Sequence, residues 1–299
     1  MSRIKNVFSI KDLENLSGIK AHTIRIWEKR YNVLEPMRTD TNIRVYDTVG
    51  LQKLLNITLL HNHGYKISKI SKFEPEKIPD LVKGIISNKS VHSHAINAFK
   101  MAMMNFDQQL FIATYNSLLS EKSFREIFLN VFIPFMTELG ILWQTDTITP
   151  AHEHFISNLI KQKLLINIEK LQIIKPTKTD KVFVLYLPMD EIHELGLMYL
   201  NYEITNSGYQ SVYLGESLPI DNLKQMKNYF DKIIFVSYLT AYPETEALSG
   251  YIADMKAEIL DDDDTELWLV GRKAMQIDRS ELSSKIIRFS GFADVFDQL

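Results

Sequence analysis

The 299 residues contain no cysteine. Disulfides, thiolate metal sites and cysteine nucleophiles are therefore excluded, which fits a reducing cytoplasm. No apolar run approaches the roughly 20 residues needed to span a bilayer. The N-terminus also lacks the signal-peptide pattern of basic start, apolar stretch and small cleavage residues. The expectation is a cytoplasmic protein with no membrane partner. Nor is there a strong overall charge, the net being −3.

That small net charge hides an asymmetry. Residues 1–72 carry 13 Lys and Arg against 6 Asp and Glu, which leaves 21 against 31 for the remainder. A basic N-terminal module on an acidic body points to a polyanion partner for the N-terminus alone. Hydrophobic content of 45% and charged content of 24% are ordinary, and the length allows two or three cores.

Three segments follow from periodicity. In "FSIKDLENLSG", Ser9 is a candidate N-cap, Ile10, Leu13 and Leu16 are spaced as on a helix, and Gly18 is the stop. "AHTIRIWEKRY" reads as a second helix, with Ile24 and Trp27 inward and His22, Arg25 and Lys29 outward. Two short helices joined by a glycine turn form a helix-turn-helix whose second helix suits a major groove. "EPMRTDTNIRVYD" reads as a short β-wing, and a third helix runs from about Thr48 to His63. Trp27 and Tyr46 are expected in the core rather than stacked on bases.

The second segment is helical. Phe124, Ile127, Phe128, Val131, Phe135 and Leu139 form an apolar stripe, and Pro134 inside it should kink the helix or mark an irregular turn. Thr149-Pro150 opens a further helix, whose stripe runs through Ile156, Leu159, Ile160, Leu164 and Ile168. About four such helices suggest a bundle. After the polar linker "KPTKTD" (175–180), "KVFVLYL", "QSVYLG", "KIIFVSYL", "ELWLVG" and "IIRFSG" read as strands alternating with helical stretches. That pattern predicts a doubly wound α/β domain with a parallel sheet. The expected domains are therefore 1–75, a winged helix-turn-helix; 80–174, a four-helix bundle; and 180–299, a flavodoxin-like domain.

Ligands of such sheets sit outside the carboxyl ends of the strands. His193, Gly215, Ser237 and Gly271 all follow or end a strand there. Alone, His193 in "MDEIHELG" reads as a polar residue opening a helix, with Asp190, Glu191 and Glu194 complementing the helix dipole. The acidic run Asp261–Asp264 reads as a solvated loop before strand four.

"HTIRIWEKRYNVLEPMRTDTNIRVYD" resembles the MerR-type winged helix-turn-helix over nearly all of residues 6–70. Behind it come "LGILWQTDTITPAHEHF", "EIHELG", "YLGESLP", "SYL" and "VGRKA". This order resembles the CarH/LitR family of cobalamin-dependent, light-responsive MerR-type regulators, and the resemblance spans essentially the whole chain. It implies that Lys20, His22, Thr23 and Arg25, with Arg38, Thr39 and Arg44 of the wing, face a double-stranded DNA operator. Guanidinium groups suit both phosphate pairing and bidentate contact with guanine.

For the sensory half the resemblance implies adenosylcobalamin, with His193 as lower cobalt ligand and Glu191 holding its other ring nitrogen. Gly196 would let the displaced nucleotide tail pass, and Gly215, Ser237, Leu239 and Gly271 complete the pocket. Trp143, Glu153 and His154 would lie over the upper face of the ring; an ordinary bundle residue and an exposed helical pair are the plain alternative. The resemblance also implies a homo-oligomer, dimer or tetramer, through the sensory domains, with repression rather than catalysis as the expected output. The sequence departs from the family pattern at three places. Glu191 replaces an Asp, a single glycine stands in Val270-Gly271-Arg272, and Gln144 follows Trp143 where light-responsive members have a histidine. The alternatives are a MerR-type regulator working without cobalamin, and a corrinoid carrier for methyl transfer, against which the basic head argues.

Overall fold

The computed structural model describes residues 7–74, 77–84, 88–145, 147–261 and 264–299. The middle residues of the acidic run Asp261–Asp264 and the side chain of Gln144 lie outside that description. The chain divides into two compact units, residues 1–160 and 161–299.

The first unit opens with β1 (Phe8–Ser9), α1 (Ile10–Ser17), α2 (Ala21–Tyr31), β2 (Met37–Arg38), β3 (Arg44–Tyr46) and α3 (Thr48–Asn62). Ser9 caps α1 as its sequence suggested. Its hydroxyl accepts from Asp12 N at 3.1 Å while the Asp12 carboxylate accepts from Ser9 N at 2.8 Å, a reciprocal capping box. Gly18 ends the helix at φ 74°, a left-handed conformation that costs glycine nothing. The three strands pair antiparallel in the order β1-β3-β2, which makes the wing. Leu13, Leu16, Ile24, Trp27, Tyr46 and Leu54 form the core beneath, so Trp27 and Tyr46 are structural, as expected. Two short helices, α4 (Ile67–Ile70) and α5 (Lys77–Gly84), lead into the bundle.

The bundle consists of α6 (Asn88–Asn105), α7 (Gln108–Leu119), a composite helix and α10 (Pro150–Gln172). The composite comprises α8 (Phe124–Ile127), one π turn (Phe128–Phe132) and α9 (Ile133–Gln144). Pro134 explains the interruption. It has no N–H to give and its ring crowds the preceding turn, and the wider π turn just before it relieves both conflicts without breaking the helix. Phe99 anchors the core, with ring centroids 4.9 Å from Phe111 and 5.5 Å from Phe132. By length and composition the helix Phe124–Trp143 is apolar enough to cross a membrane, but Arg125, Glu126 and Glu138 interrupt it, so no uninterrupted apolar run of that length is present in it. Its Phe128, Val131, Phe132 and Phe135 are fully buried in this unit.

The second unit holds β4 (Lys178–Tyr186), α11 (Leu195–Asn206), β5 (Tyr209–Gly215), α12 (Ile220–Lys224), β6 (Ile233–Tyr238), α13 (Leu248–Glu258), β7 (Thr265–Val270), β8 (Ile286–Phe289) and α14 (Phe292–Phe296). All five strands are parallel, in the order β5-β4-β6-β7-β8, the flavodoxin-like winding with β4 at the switch point. Phe183, Val184, Leu185 and Tyr186 are wholly buried, as a central parallel strand covered on both faces requires. The linker expected at 175–180 is shorter than its polarity implied. Lys178 already pairs with Tyr209, its ammonium 4.4 Å from that ring's centroid, so a charged residue joins the sheet edge without burying its charge. Between β7 and β8 the alternation also fails, two single 3₁₀ turns replacing a helix.

Candidate functional site

Three regions, each described by itself, collect the residues that the sequence singled out. On the head, Lys20, His22 and Arg25 are exposed along the start and outer face of α2, and Thr23 is half-buried between them. Glu14 of α1 organises this end of the helix. It accepts from Lys20 Nζ and from Ala21 N, both at 3.2 Å, and the Lys20 hydrogen bond above all lowers its pKa. In the wing, Arg38 Nη1 donates to the carbonyl and side-chain oxygens of Asn42 at 3.0 and 2.9 Å, which braces the turn carrying exposed Thr39. Arg44 is held differently. Its Nε lies 3.4 Å from Glu28 on α2, and the same carboxylate accepts the Tyr46 hydroxyl. Arg44 therefore ties wing to recognition helix, and the six others remain on the surface.

In the bundle, Trp143 near the end of α9 is 47% exposed, unusual for so large an apolar ring. On the first turns of α10, Glu153 accepts from Ser157 Oγ at 2.6 Å and lies 3.2 Å from His154 Nδ1. Thr149, just before that helix, has its hydroxyl 2.8 Å from His152 Nδ1, so the neighbouring histidine is turned inward and buried.

At the carboxyl edge of the sheet, β4 gives way to a loop, and α11 starts only at Leu195. His193 therefore sits in the loop rather than on the helix. Glu191 is fully buried and almost completely satisfied. One oxygen accepts from Ile192 N and His193 N, both at 3.0 Å, and lies 2.5 Å from His193 Nδ1. The other accepts from the backbone of Thr240, Ala241 and Tyr242 at 3.1, 2.6 and 2.8 Å. Burial alone would push this carboxyl up, but the His193 bond and these backbone donors outweigh it and hold the pKa at about 2. A buried, ionised carboxylate thus fixes the His193 ring, which stays half exposed. Lys273, after β7, donates to the Ala241 carbonyl and holds the same loop from its far side. Glu194 accepts from Tyr213 at 3.0 Å and from Lys161 of α10, which anchors the loop's other end.

Gly196 and Gly271 are brought together, but around a side chain. A β-carbon on Gly196 would lie 3.0 Å from two carbons of the Tyr238 ring. One on Gly271 would lie 3.5 Å from the same ring and 2.8 Å from the Leu239 carbonyl. Gly271 also adopts φ 107°, so no other residue fits there. Ser237 and Leu239 are buried on the opposite face of β6, which strand alternation assigns to the core of Phe235, Ile252 and Leu269. Ser237 Oγ has no hydrogen-bond partner among the described residues. Gly215 ends β5 at φ 88°, and its carbonyl accepts from Leu187 N at 2.9 Å. Sequence reasoning missed Tyr238, Lys273 and the 240–242 backbone. Only Tyr238 carried a signal, as the large residue between Ser237 and Leu239.

A winged head with an exposed basic helix, ahead of a bundle and a parallel sheet with a histidine loop at its ligand edge, defines a DNA-binding regulator with a separate sensory part. Residues 8–77 match the MerR HTH family regulatory protein model, and residues 95–166 match the B12 binding domain. The chain thus carries a MerR-type DNA-binding head and a B12 binding domain, the pairing of a cobalamin-dependent transcriptional regulator. Over 225 residues it is 26% identical to the HTH-type transcriptional repressor CarH of Myxococcus xanthus, covering 73% of this chain and 74% of that one. It is 23% identical over 215 residues to the repressor CarA of the same organism, covering 70% and 68%. The monomethylamine corrinoid protein of Methanosarcina barkeri superposes with a TM-score of 0.57 over 71% of this chain and 97% of that one; at 12% identity this likeness concerns the fold alone.

Proposed function

We propose that this regulator binds operator DNA through α2 and the wing, and that a corrinoid on His193 sets its assembly and hence its DNA affinity. The observation that carries the reading is the Glu191–His193 pair, an ionised buried acid holding an imidazole at the ligand edge of the sheet. Glu191 engages Nδ1, so the ligating atom would be Nε2, with Glu191 orienting the ring and raising its basicity. Among the described residues no three His, Asp or Glu come together as a metal cage. A metal on His193 must therefore bring its other ligands with it, as cobalt does in a corrin. The donor set fits the group on this side.

When bound, the corrinoid supplies a cobalt–carbon bond that can be broken and re-formed. Trp143, Glu153 and His154 are the residues proposed to lie near its upper face, and adenosylcobalamin is the proposed form. A ligand that binds one assembly state better shifts the population towards it, and joining DNA heads multiplies affinity for paired half-sites. The output is repression by a cytoplasmic homo-oligomer rather than catalysis. Gln144 follows Trp143, and an amide is a poor cobalt(III) ligand beside imidazole.

The test is to mix the protein with adenosylcobalamin in the dark, desalt it, and record the visible spectrum beside His193→Ala. Retained colour in the wild type and a blue-shifted or lost spectrum in the variant are expected. A wild type that stays colourless with adenosylcobalamin and with aquacobinamide alike sinks the reading. Oligomer size before and after illumination, measured on the same samples, decides whether light is part of the response.

A further inference from the structure

The glycines assigned to a passing tail already have an occupant. Tyr238 places its ring flat against the Gly196 backbone, close enough that even a methyl group there would collide with three ring carbons at 3.0–3.1 Å. The same ring stacks on Phe292, centroids 5.4 Å apart and planes 25° from parallel. The backbone behind it cannot retreat. Tyr238 pairs with Val270 in the β6–β7 ladder, Leu239 N donates to the Val270 carbonyl at 2.9 Å, and Gly271 abuts the Leu239 carbonyl. Burial raises the Tyr238 pKa, so the group in the crevice is a neutral phenol. The crevice between the start of α11 and the ends of β6 and β7 is closed by this chain's own side chain.

We infer that Tyr238 selects the ligand by what hangs beneath the corrin ring, so that the chain takes corrinoids lacking the lower nucleotide in preference to those carrying it. The inference rests on the corrinoid reading above. A ring seated on His193 needs only the half-exposed imidazole, whereas a nucleotide tail running past Gly196 must first displace a packed aromatic from Gly196, Gly271 and Phe292. The polar floor is also misplaced for a tail on that side. Ser237, the buried hydroxyl without a partner, faces the other side of β6. Finally, Val270 and Arg272 flank the single Gly271, so no second glycine widens the crevice.

The test titrates the full-length protein with aquacobinamide and with hydroxocobalamin, following the visible spectrum and the pigment retained after desalting. The wild type is expected to bind cobinamide at least roughly tenfold more tightly. Tyr238→Ala should bring the two within about threefold by strengthening cobalamin binding. Tyr238→Phe, which keeps the ring, should keep the wild-type ratio. A wild type that binds hydroxocobalamin as tightly as cobinamide overturns the inference and leaves the corrinoid reading intact, whether or not the alanine variant folds. A wild type whose spectrum changes with neither corrinoid overturns the corrinoid reading itself.

Discussion

Glu191 grips His193 twice through one oxygen, at the ring nitrogen (2.5 Å) and at the backbone N–H (3.0 Å), while its second oxygen gathers three N–H groups from the loop after β6. One carboxylate thus sets the imidazole and joins two loops of the ligand edge. Glu191→Ala would remove the acceptor of five part-buried backbone donors, at a cost of about 3 kcal/mol in unfolding stability even without ligand. Urea denaturation followed by far-UV circular dichroism measures this. A variant as stable as wild type would mean that Glu191 only tunes the histidine.

Arg25 stands exposed on the recognition helix, while Arg44 is engaged by Glu28. Arg25→Ala should weaken binding to a duplex selected from a random pool by roughly tenfold or more, and lessen the salt dependence by about one ion. Fluorescence anisotropy at several salt concentrations reads both, and the corrinoid spectrum should not change. Wild-type affinity in the variant would place the DNA face elsewhere.

Glu28 holds the wing through Tyr46 and Arg44. Burial foremost, then the Glu28 hydrogen bond, raises the Tyr46 pKa well above its usual value. A raised acid keeps its proton in the folded state, so its contribution is whole below pH about 10 and is lost as the pH climbs beyond it, where the unfolded tyrosine ionises. Tyr46→Phe should therefore lose less stability than wild type between pH about 9 and 11. Parallel alkaline curves for the two proteins would exclude the linkage.

Lys100, buried on α6, donates to the Leu16 carbonyl at the end of α1 (3.0 Å) and pairs with Glu138 on α9. Nearby, Asn15 Nδ2 donates to Thr147 Oγ1 at 2.8 Å. The DNA-binding head is thus bonded to the bundle at two points, one of them in the segment between Trp143 and Glu153. Lys100→Met keeps the stem's packing but removes both polar contacts, at about 1–3 kcal/mol. Hydrogen exchange at residues 16–18 should quicken in this variant. Unchanged exchange would show that the head is held by apolar packing alone.

Much of this was legible in the chain itself. Local chemistry determined the capping box at Ser9, the glycine stop at Gly18, the irregular turn ahead of Pro134 and the five strands, because each depends on residues within a few positions. The Glu191–His193 pairing came only from the family resemblance; by local pattern alone His193 read as a polar residue opening a helix, and the structure puts it in the loop before α11. What lay beyond the sequence were contacts made across long separations. The backbone of 240–242, some 50 residues after Glu191, offers donors that any sequence would offer, and only the fold aims them at one carboxylate. Likewise two glycines spoke of space, but not of what fills it. Strand pairing at the end of β6 turned Tyr238 into that space and Ser237 away from it, because alternation along a strand sends neighbours to opposite faces. The sequence determined which residues were candidates for a ligand; the tertiary structure decided which of them share a face.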